Sequence, residues 1–312
     1  TKPIKFVLPH VPSLRPSWMI RIGLFLYDRL GGKSSFEKSR FINLNDRFEE
    51  NPIKENYISG YIYSDLYVDD SRLALLNAED AMNRGAKIYL NTKIVKVWRD
   101  KNFWLITLDS GEVLKSKVVV NATGPFAISV LNNIFKLKSN KKLRLVQGSH
   151  LVVKKIYEGD QAYILQLDDK RIIFMIPYQN KYTLIGTTDH EVDNFENPKI
   201  TDEEKDYLIK SVNSFIKKEI SESDILWTYS GIRPLIEDNN QKASKVSRDY
   251  TFEVDDKDGA PIITILGGKL TTYRKLSEQI LKELNKYLVF SKKKWTSEEA
   301  LPGAHNKIIN NR

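Results

Sequence analysis

The chain has 312 residues, of which 41% are hydrophobic, enough for a sizeable core in two interleaved domains or one large one. Its 49 basic and 40 acidic residues leave a net charge of +9, which favours anionic partners such as phosphates, acidic lipid headgroups or nucleic acid, although the lysines are scattered. The absence of cysteine excludes disulfides, thiolate catalysis and cysteine-ligated metal centres, and His10, His150, His190 and His305 have no metal-ligand spacing, so no metal site is expected.

No apolar run approaches the length of a spanning helix, the longest being broken by Arg21. Ser17 can cap a helix running to Leu30 whose surface is apolar over most of its circumference. Trp18 and Tyr27 near its ends, with Arg15, Arg21 and Arg29 able to snorkel, fit a helix lying in a membrane interface; a buried core helix explains the same leucines. Asp69-Asp70, followed by Leu73, Leu76, Ala78 and Met82 and ended by Gly85, predicts a capped amphipathic helix. From Lys87 the period changes to two. Short runs at Ile88–Leu90, Val95–Trp98 and Phe103–Leu108, punctuated by Asp100-Lys101-Asn102 and Asp109-Ser110-Gly111, predict a small antiparallel meander. A buried strand, Val118–Val120, then runs into Asn121-Ala122-Thr123-Gly124-Pro125, where small residues let the backbone approach a ligand before a helix begins.

Residues 145–232 read as one broad, mostly antiparallel sheet, with strands at Gln147–Val153, Arg171–Ile176 and Tyr182–Asp189. A single helix interrupts it: Thr201 and Glu204 form a capping box, and Leu208, Val212, Phe215 and Ile216 make an apolar stripe. Ile262–Leu266 predicts a second buried strand, after which Gly267-Gly268-Lys269 opens a helix with Tyr273, Leu276, Ile280 and Leu284 on its inner face. Residues 291–312 are polar and without period, the pattern of a linker.

The strongest chemical signal is the order strand, glycine pair, helix. Two glycines admit an anion or a flat polar ring to the backbone, and the free amides and dipole of the first helical turn stabilise negative charge there. Lys269 adds a full charge, although such a pair also serves as a plain tight turn. Ala122-Thr123-Gly124 at the end of a triple-valine strand is a second, weaker signal of the same kind. The third is a set of polar residues in or beside strands: His150, Thr187, Arg233 and Arg248. Arginine binds phosphate bidentately and histidine can take a proton from an alcohol. Taken singly, His150 reads as a core histidine and Arg233 as half of an ion pair; together with the Gly267-Gly268-Lys269 corner they read as a site. Nucleic-acid binding is disfavoured, because the aromatics are spread through strands rather than interleaved with a basic stripe.

At Leu8-Pro9-His10, Arg15–Leu24, Tyr67–Leu73, Val120–Pro125, Gly148-Ser149-His150, Ala162–Gln166, Ile185–Asp189, Trp227–Gly231, Arg248–Thr251 and Gly267–Lys275 the sequence resembles the bacterial respiratory FAD-dependent glycerol-3-phosphate dehydrogenases, almost end to end. The resemblance implies an α+β, α/β fold of the glycine and D-amino-acid oxidase type: a partial dinucleotide-binding domain plus an antiparallel substrate-capping sheet, each assembled from separated pieces of chain. It assigns residues 1–66 to a membrane-associated base and the start of the cap, 67–134 to the FAD domain, 135–258 to the capping sheet, 259–290 to the return into the FAD domain, and 291–312 to a linker towards a C-terminal helical domain. It also turns the membrane-interface reading of Pro16–Leu30 into the expectation for that helix.

By position, His150, Thr187, Arg233 and Lys269 match the family's substrate residues, and His150, Arg233 and Lys269 are implied to be catalytic. Ile94 falls near the adenine, Thr123 and Gly124 near the pyrophosphate, and Arg248, Gly267, Gly268, Lys269, Leu270 and Thr271 beside the flavin of FAD. The implied reaction oxidises sn-glycerol 3-phosphate to dihydroxyacetone phosphate and passes the electrons to a membrane quinone; an oxidase using oxygen stays open. The implied setting is cytoplasmic, on a membrane surface at the inner face of the cell membrane, with a homodimer when complete. The family's opening strand, G-x-G-x-x-G loop and helix, the Arg-Tyr pair that follows them, and most of its C-terminal helical domain have no counterpart in these residues. The expectation is therefore that this polypeptide alone binds FAD weakly or not at all and lacks dehydrogenase activity. A non-catalytic remnant or split subunit that associates with a partner chain or membrane would carry the same residues.

Overall fold

A strand whose residues alternate at period two has two distinct faces, and such stretches dominate the first and middle parts of this chain. The computed structural model describes residues 2–30, 36–45, 51–193, 196–237, 250–290 and 294–304. Its elements begin with β1 (Lys2–Pro9), α1 (Ser17–Leu30), β2 (Arg40–Asn43), β3 (Ser59–Tyr67) and α2 (Asp70–Asn83). Next come β4 (Ile94–Arg99), β5 (Trp104–Leu108), β6 (Val113–Ser116), β7 (Val119–Asn121) and α3 (Ala127–Asn133). The middle of the chain gives β8 (Leu143–Lys154), β9 (Ala162–Gln166), β10 (Ile172–Tyr178), β11 (Tyr182–Gly186), β12 (His190–Glu191) and α4 (Asp202–Asn213). The last are β13 (Ile225–Ile236), β14 (Tyr250–Asp255), β15 (Ile262–Gly267) and α5 (Tyr273–Leu284). Two units are formed, Thr1–Val68 with Gln147–Ile232 and Asp69–Val146 with Arg233–Arg312.

The first unit is built on a nine-stranded sheet in the order β12-β8-β11-β10-β9-β1-β3-β2, with β13 also paired to β8. It is mostly antiparallel, as its sequence pattern predicts; β1 runs antiparallel to β3 from Lys2 opposite Tyr67 to Pro9 opposite Gly60, but parallel to β9. Period two sorts its core into two layers. Val7, Ile62, Leu151, Leu165, Met175 and Ile185 pack on one face against Leu208 and Val212 of α4 and the following Phe215 and Ile216. Their chain neighbours Leu8, Tyr61 and Ile164 pack on the other, against Ile20 of α1. The capping box forms as expected: Glu204 N donates to Thr201 Oγ1 at 3.2 Å and Thr201 N to the Glu204 carboxylate at 3.0 Å.

Helix α1 departs from a core helix. Only Ile20 is buried, while Trp18, Met19, Ile22, Phe25, Leu26 and Leu30 are exposed, Leu30 to 83%. Ser17 is the first helical residue rather than the cap; its Oγ meets the Tyr61 hydroxyl at 2.5 Å. Tyr27 donates to Ser64 O at 3.0 Å, and burial, together with Asp65 and Asp28, raises its pKa, so it remains a donor. Among the described residues no helix is long and apolar enough to cross a membrane.

In the second unit, β14-β15-β7 and β4-β5-β6 form two three-stranded sheets. The meander is therefore present but shifted: Ile88–Leu90 forms no strand, because Ile88 and Leu90 are exposed and Asn91 turns the chain at φ 51°, and its place is taken by β6. Trp104, Ile106 and Leu108 pack on Leu131 and Phe135 of the α3 segment and on Ile262. Trp104 Nε1 donates to Pro261 O at 3.1 Å, and Arg99 joins Asp255 at 2.8 Å and Ala260 O at 2.9 Å, which fastens the meander to β15. The valine strand is a correction: Val120 is 36% exposed and the buried residue is Asn121, because β7 pairs with β15 alone among the described strands. Helix α2 is capped as expected, Arg72 N donating to Asp69 at 2.9 Å, yet none of its residues is buried.

Leu208 is fully buried at the centre of the α4 stripe. Leu208→Ala is expected to cost about 2–5 kcal/mol by leaving a cavity, read as a lower midpoint in urea unfolding.

Candidate functional site

Strands β8 and β11 are registered so that Gly186 lies opposite His150. The His150 ring is flanked on its strand neighbours by two groups that fix it. It stacks on Tyr229 of β13 with centroids 4.8 Å apart and planes 12° apart. On the other side, a Cβ at Gly186 would sit 2.2 Å from His150 Cδ2, so glycine is the residue that leaves room for the ring. The Gly186–Thr187 peptide is cis, and Thr187, half-buried, donates from Oγ1 to Thr188 O at 3.2 Å.

The opposite face of the same strands holds a buried carboxylate. Glu204, 6% exposed, accepts from Ser149 Oγ at 2.9 Å, Gln147 Nε2 at 2.9 Å, Thr201 N at 3.0 Å and Thr188 Oγ1. Ser149 N donates to Thr188 Oγ1 at 2.9 Å, and the Ser149 and Ser230 hydroxyls lie 2.8 Å apart. Sequence reading found Glu204 only as a capping residue. The available signal was the pair of polar residues, Gln147 and Ser149, on the side of β8 that otherwise faces the core.

In the second unit, β7 and β15 run parallel, with Ile262, Ile263 and Thr264 opposite Val119, Val120 and Asn121. Their carboxyl ends therefore open on the same edge, and each continues into glycine at positive φ, a short 3-10 turn and a helix. Gly124 has φ 59°, Gly267 77° and Gly268 109°, conformations that disfavour a side chain. At the first end Thr123 Oγ1 donates to Asn121 Oδ1 at 2.7 Å, and Asn121 Nδ2 to Ala127 O at 2.8 Å, which holds the loop against α3. At the second, the expected direct opening of a helix is interrupted by the turn Leu270–Thr272, closed by Thr272 N on Lys269 O at 3.1 Å, before α5. Lys269, Leu270 and Thr271 are exposed.

The structure thus groups Thr123, Gly124, Gly267, Gly268, Lys269, Leu270 and Thr271 around one edge of one sheet. Ile94 lies apart from it, half-buried at the start of β4, and packs on the Trp104 cluster. Arg233 is half-buried on β13. Arg248 lies outside the described residues. Among the described residues no group of histidine, aspartate and glutamate could hold a metal.

Two substitutions test this geometry. Gly186→Ala is expected to push the imidazole off Tyr229 at about 1–3 kcal/mol of overpacking strain, seen as a shifted His150 ring signal in histidine-labelled NMR spectra and a lower unfolding midpoint. Gly267→Ala, at φ 77°, is expected to cost about 1–2 kcal/mol by the same unfolding measurement.

A family model of FAD dependent oxidoreductases matches residues 7–274. The glycerol-3-phosphate dehydrogenase of Pseudomonas tolaasii is 42% identical over 311 residues, covering 98% of this chain and 60% of that protein. The D-erythritol 1-phosphate dehydrogenase of Brucella abortus is 40% identical over 307 residues, covering 96% of this chain and 61% of that protein. The chain thus spans about 60% of the length of the curated relatives it matches. Among solved structures, the Bacillus halodurans glycerol-3-phosphate dehydrogenase complexed with FAD superposes with a TM-score of 0.66 at 25% identity, over 91% of this chain and 51% of that one. With its mixed sheets, helices and glycine-bearing strand ends, the chain belongs to the FAD dependent oxidoreductase family.

Proposed function

We propose that this chain carries the substrate and flavin-side residues of an FAD-dependent dehydrogenase that oxidises sn-glycerol 3-phosphate to dihydroxyacetone phosphate and delivers the electrons to a membrane quinone. The observation that carries the reading is the shared carboxyl edge of β7 and β15, with Gly124, Gly267 and Gly268 at positive φ. Such an edge, lined by backbone without Cβ atoms and facing the amino ends of helices, fits a pyrophosphate and a flat ring edge. Thr123 and Gly124 would hold the pyrophosphate side, and Gly267 to Thr271 with Arg248 the flavin side, with Ile94 near the adenine. FAD, when bound, supplies the two-electron acceptor.

In this reading His150 takes the proton of the C2 hydroxyl as the carbon is oxidised, and the Tyr229 stack holds the ring in one orientation for that transfer. Arg233 polarises the C2 oxygen and helps hold the phosphate, Thr187 lines the substrate, and Lys269 steadies negative charge on flavin or product. The exposed apolar face of α1 would lie on the cytoplasmic surface of the membrane. It adjoins a groove of about 590 Å³ lined by Arg21, Arg29, Lys38 and Arg40 among others, suited to anionic headgroups. The quinone then draws electrons at that surface, and the working form is a homodimer.

The 312-residue chain alone is expected to purify with little flavin absorbance, whereas joined to the residues that the Pseudomonas tolaasii relative has beyond the matched stretch it takes up FAD and is bleached anaerobically by sn-glycerol 3-phosphate. A flavin-loaded protein that D-erythritol 1-phosphate reduces faster would overturn the substrate assignment. His150→Asn is expected to slow flavin reduction about a hundredfold, at the lower end of general-base effects, with substrate affinity little changed. Separately, Phe25→Asp is expected to weaken cosedimentation with anionic vesicles about tenfold or more, since one buried apolar side chain contributes about 1.5–3 kcal/mol.

A further inference from the structure

Glu204 is a buried titratable group that the reaction above does not use. Two of its four donors, Thr201 N and Gln147 Nε2, have no choice of direction; the other two are the hydroxyls of Ser149 and Thr188. Thr188 Oγ1 accepts from Ser149 N and donates to the carboxylate. Ser149 spends its proton on Glu204 as well, so within the Ser149–Ser230 pair it is Ser230 that donates. The carboxylate accepts all four of these bonds, and the hydroxyl directions around it follow from that.

The bonded residues are chain neighbours of the proposed substrate residues. Ser149 precedes His150, Thr188 follows Thr187, and Ser230 follows Tyr229, the ring on which His150 stacks. Successive residues of a strand point to opposite faces, so the carboxylate grips β8 and the segment after β11 from the α4 face and reaches β13 through the Ser149–Ser230 hydroxyl pair, while His150 stands on the other. We propose that Glu204 is the positioning residue of this site: its carboxylate fixes the three backbone segments that hold the His150 ring and Thr187. The proposal rests on the dehydrogenase reading only for its effect on rate.

Glu204→Gln tests it with little change of shape. The amide oxygen must face the two fixed donors, which turns the amide nitrogen towards Ser149 and Thr188, both of which now donate to that point. Leu208→Ala on the same helix is the comparison, since it weakens the core without touching the network; Ile216→Val replaces it if that protein does not fold. With only four histidines in the chain, its labelled-histidine NMR spectra are readable, and His150→Asn assigns the signal. Glu204→Gln is expected to shift the His150 ring signal and leave that of His10 in place, while Leu208→Ala leaves both. In the joined, FAD-loaded protein, Glu204→Gln should lower kcat about tenfold, as loss of a partner that orients a site residue does, with KM changed little. An unmoved His150 signal, or an equal fall in kcat for Leu208→Ala, would reduce Glu204 to a stability element. Should wild-type protein fail to be reduced by sn-glycerol 3-phosphate, the reaction assignment falls, and the NMR comparison still decides the positioning claim.

Discussion

Along β8 the side chains divide cleanly between two environments, and the first unit is organised by that division. Gln147, Ser149, Leu151 and Val153 serve the α4 face, the first two through Glu204 and the last two through the apolar core. His150 stands on the other face against Gly186 and Tyr229. A carboxylate removed from water is costly unless its oxygens are filled, and here four donors and the amino end of α4 fill them. The same interactions cap the helix, seat it on the sheet and tie β8 to the segment after β11, with β13 joined through the Ser149–Ser230 hydroxyls. One residue thereby couples the stability of the layer to the geometry of the ring on its far side.

The second unit solves a different problem with backbone alone. Parallel pairing of β7 and β15 brings two chain segments, far apart in sequence, to one edge. What they present there is mostly amide and glycine rather than side chain, which suits a ligand rich in phosphate and flat rings. The edge is kept in place from behind by apolar packing of the meander on α3 and by Arg99, whose guanidinium reaches the 255–260 turn from β4.

Helix α1 shows that composition alone leaves burial open. Its apolar residues are numerous enough to suggest burial, but the sheet accepts only a narrow stripe around Ile20. The remainder is turned outwards, with Arg29 over the Phe25 ring at 3.5 Å and Arg21 over Phe41 at 5.2 Å. Basic groups resting on exposed aromatic rings are the arrangement expected where apolar side chains meet anionic headgroups.

Much of this was legible in the residues themselves. The capping box at Thr201 and Glu204, the Asp69 cap, the alternating strands of the broad sheet and the glycines at 124, 267 and 268 all follow from local rules, because each depends on bonds within a few residues. The misplaced strand at Ile88–Leu90 and the supposedly buried valines at 118–120 failed for one reason: burial depends on what packs against a segment, and no local pattern records that. The same holds for the site. Sequence named His150 and Gly267-Gly268 as chemically capable residues. Only the tertiary structure decided that β7 and β15 would end side by side and, in the first unit, that Gly186 and Tyr229 would clamp the histidine and a capping glutamate would be the buried acceptor on the opposite face. Those choices are made by pairing between strands remote in sequence, whose register is set by the whole sheet rather than by any one strand.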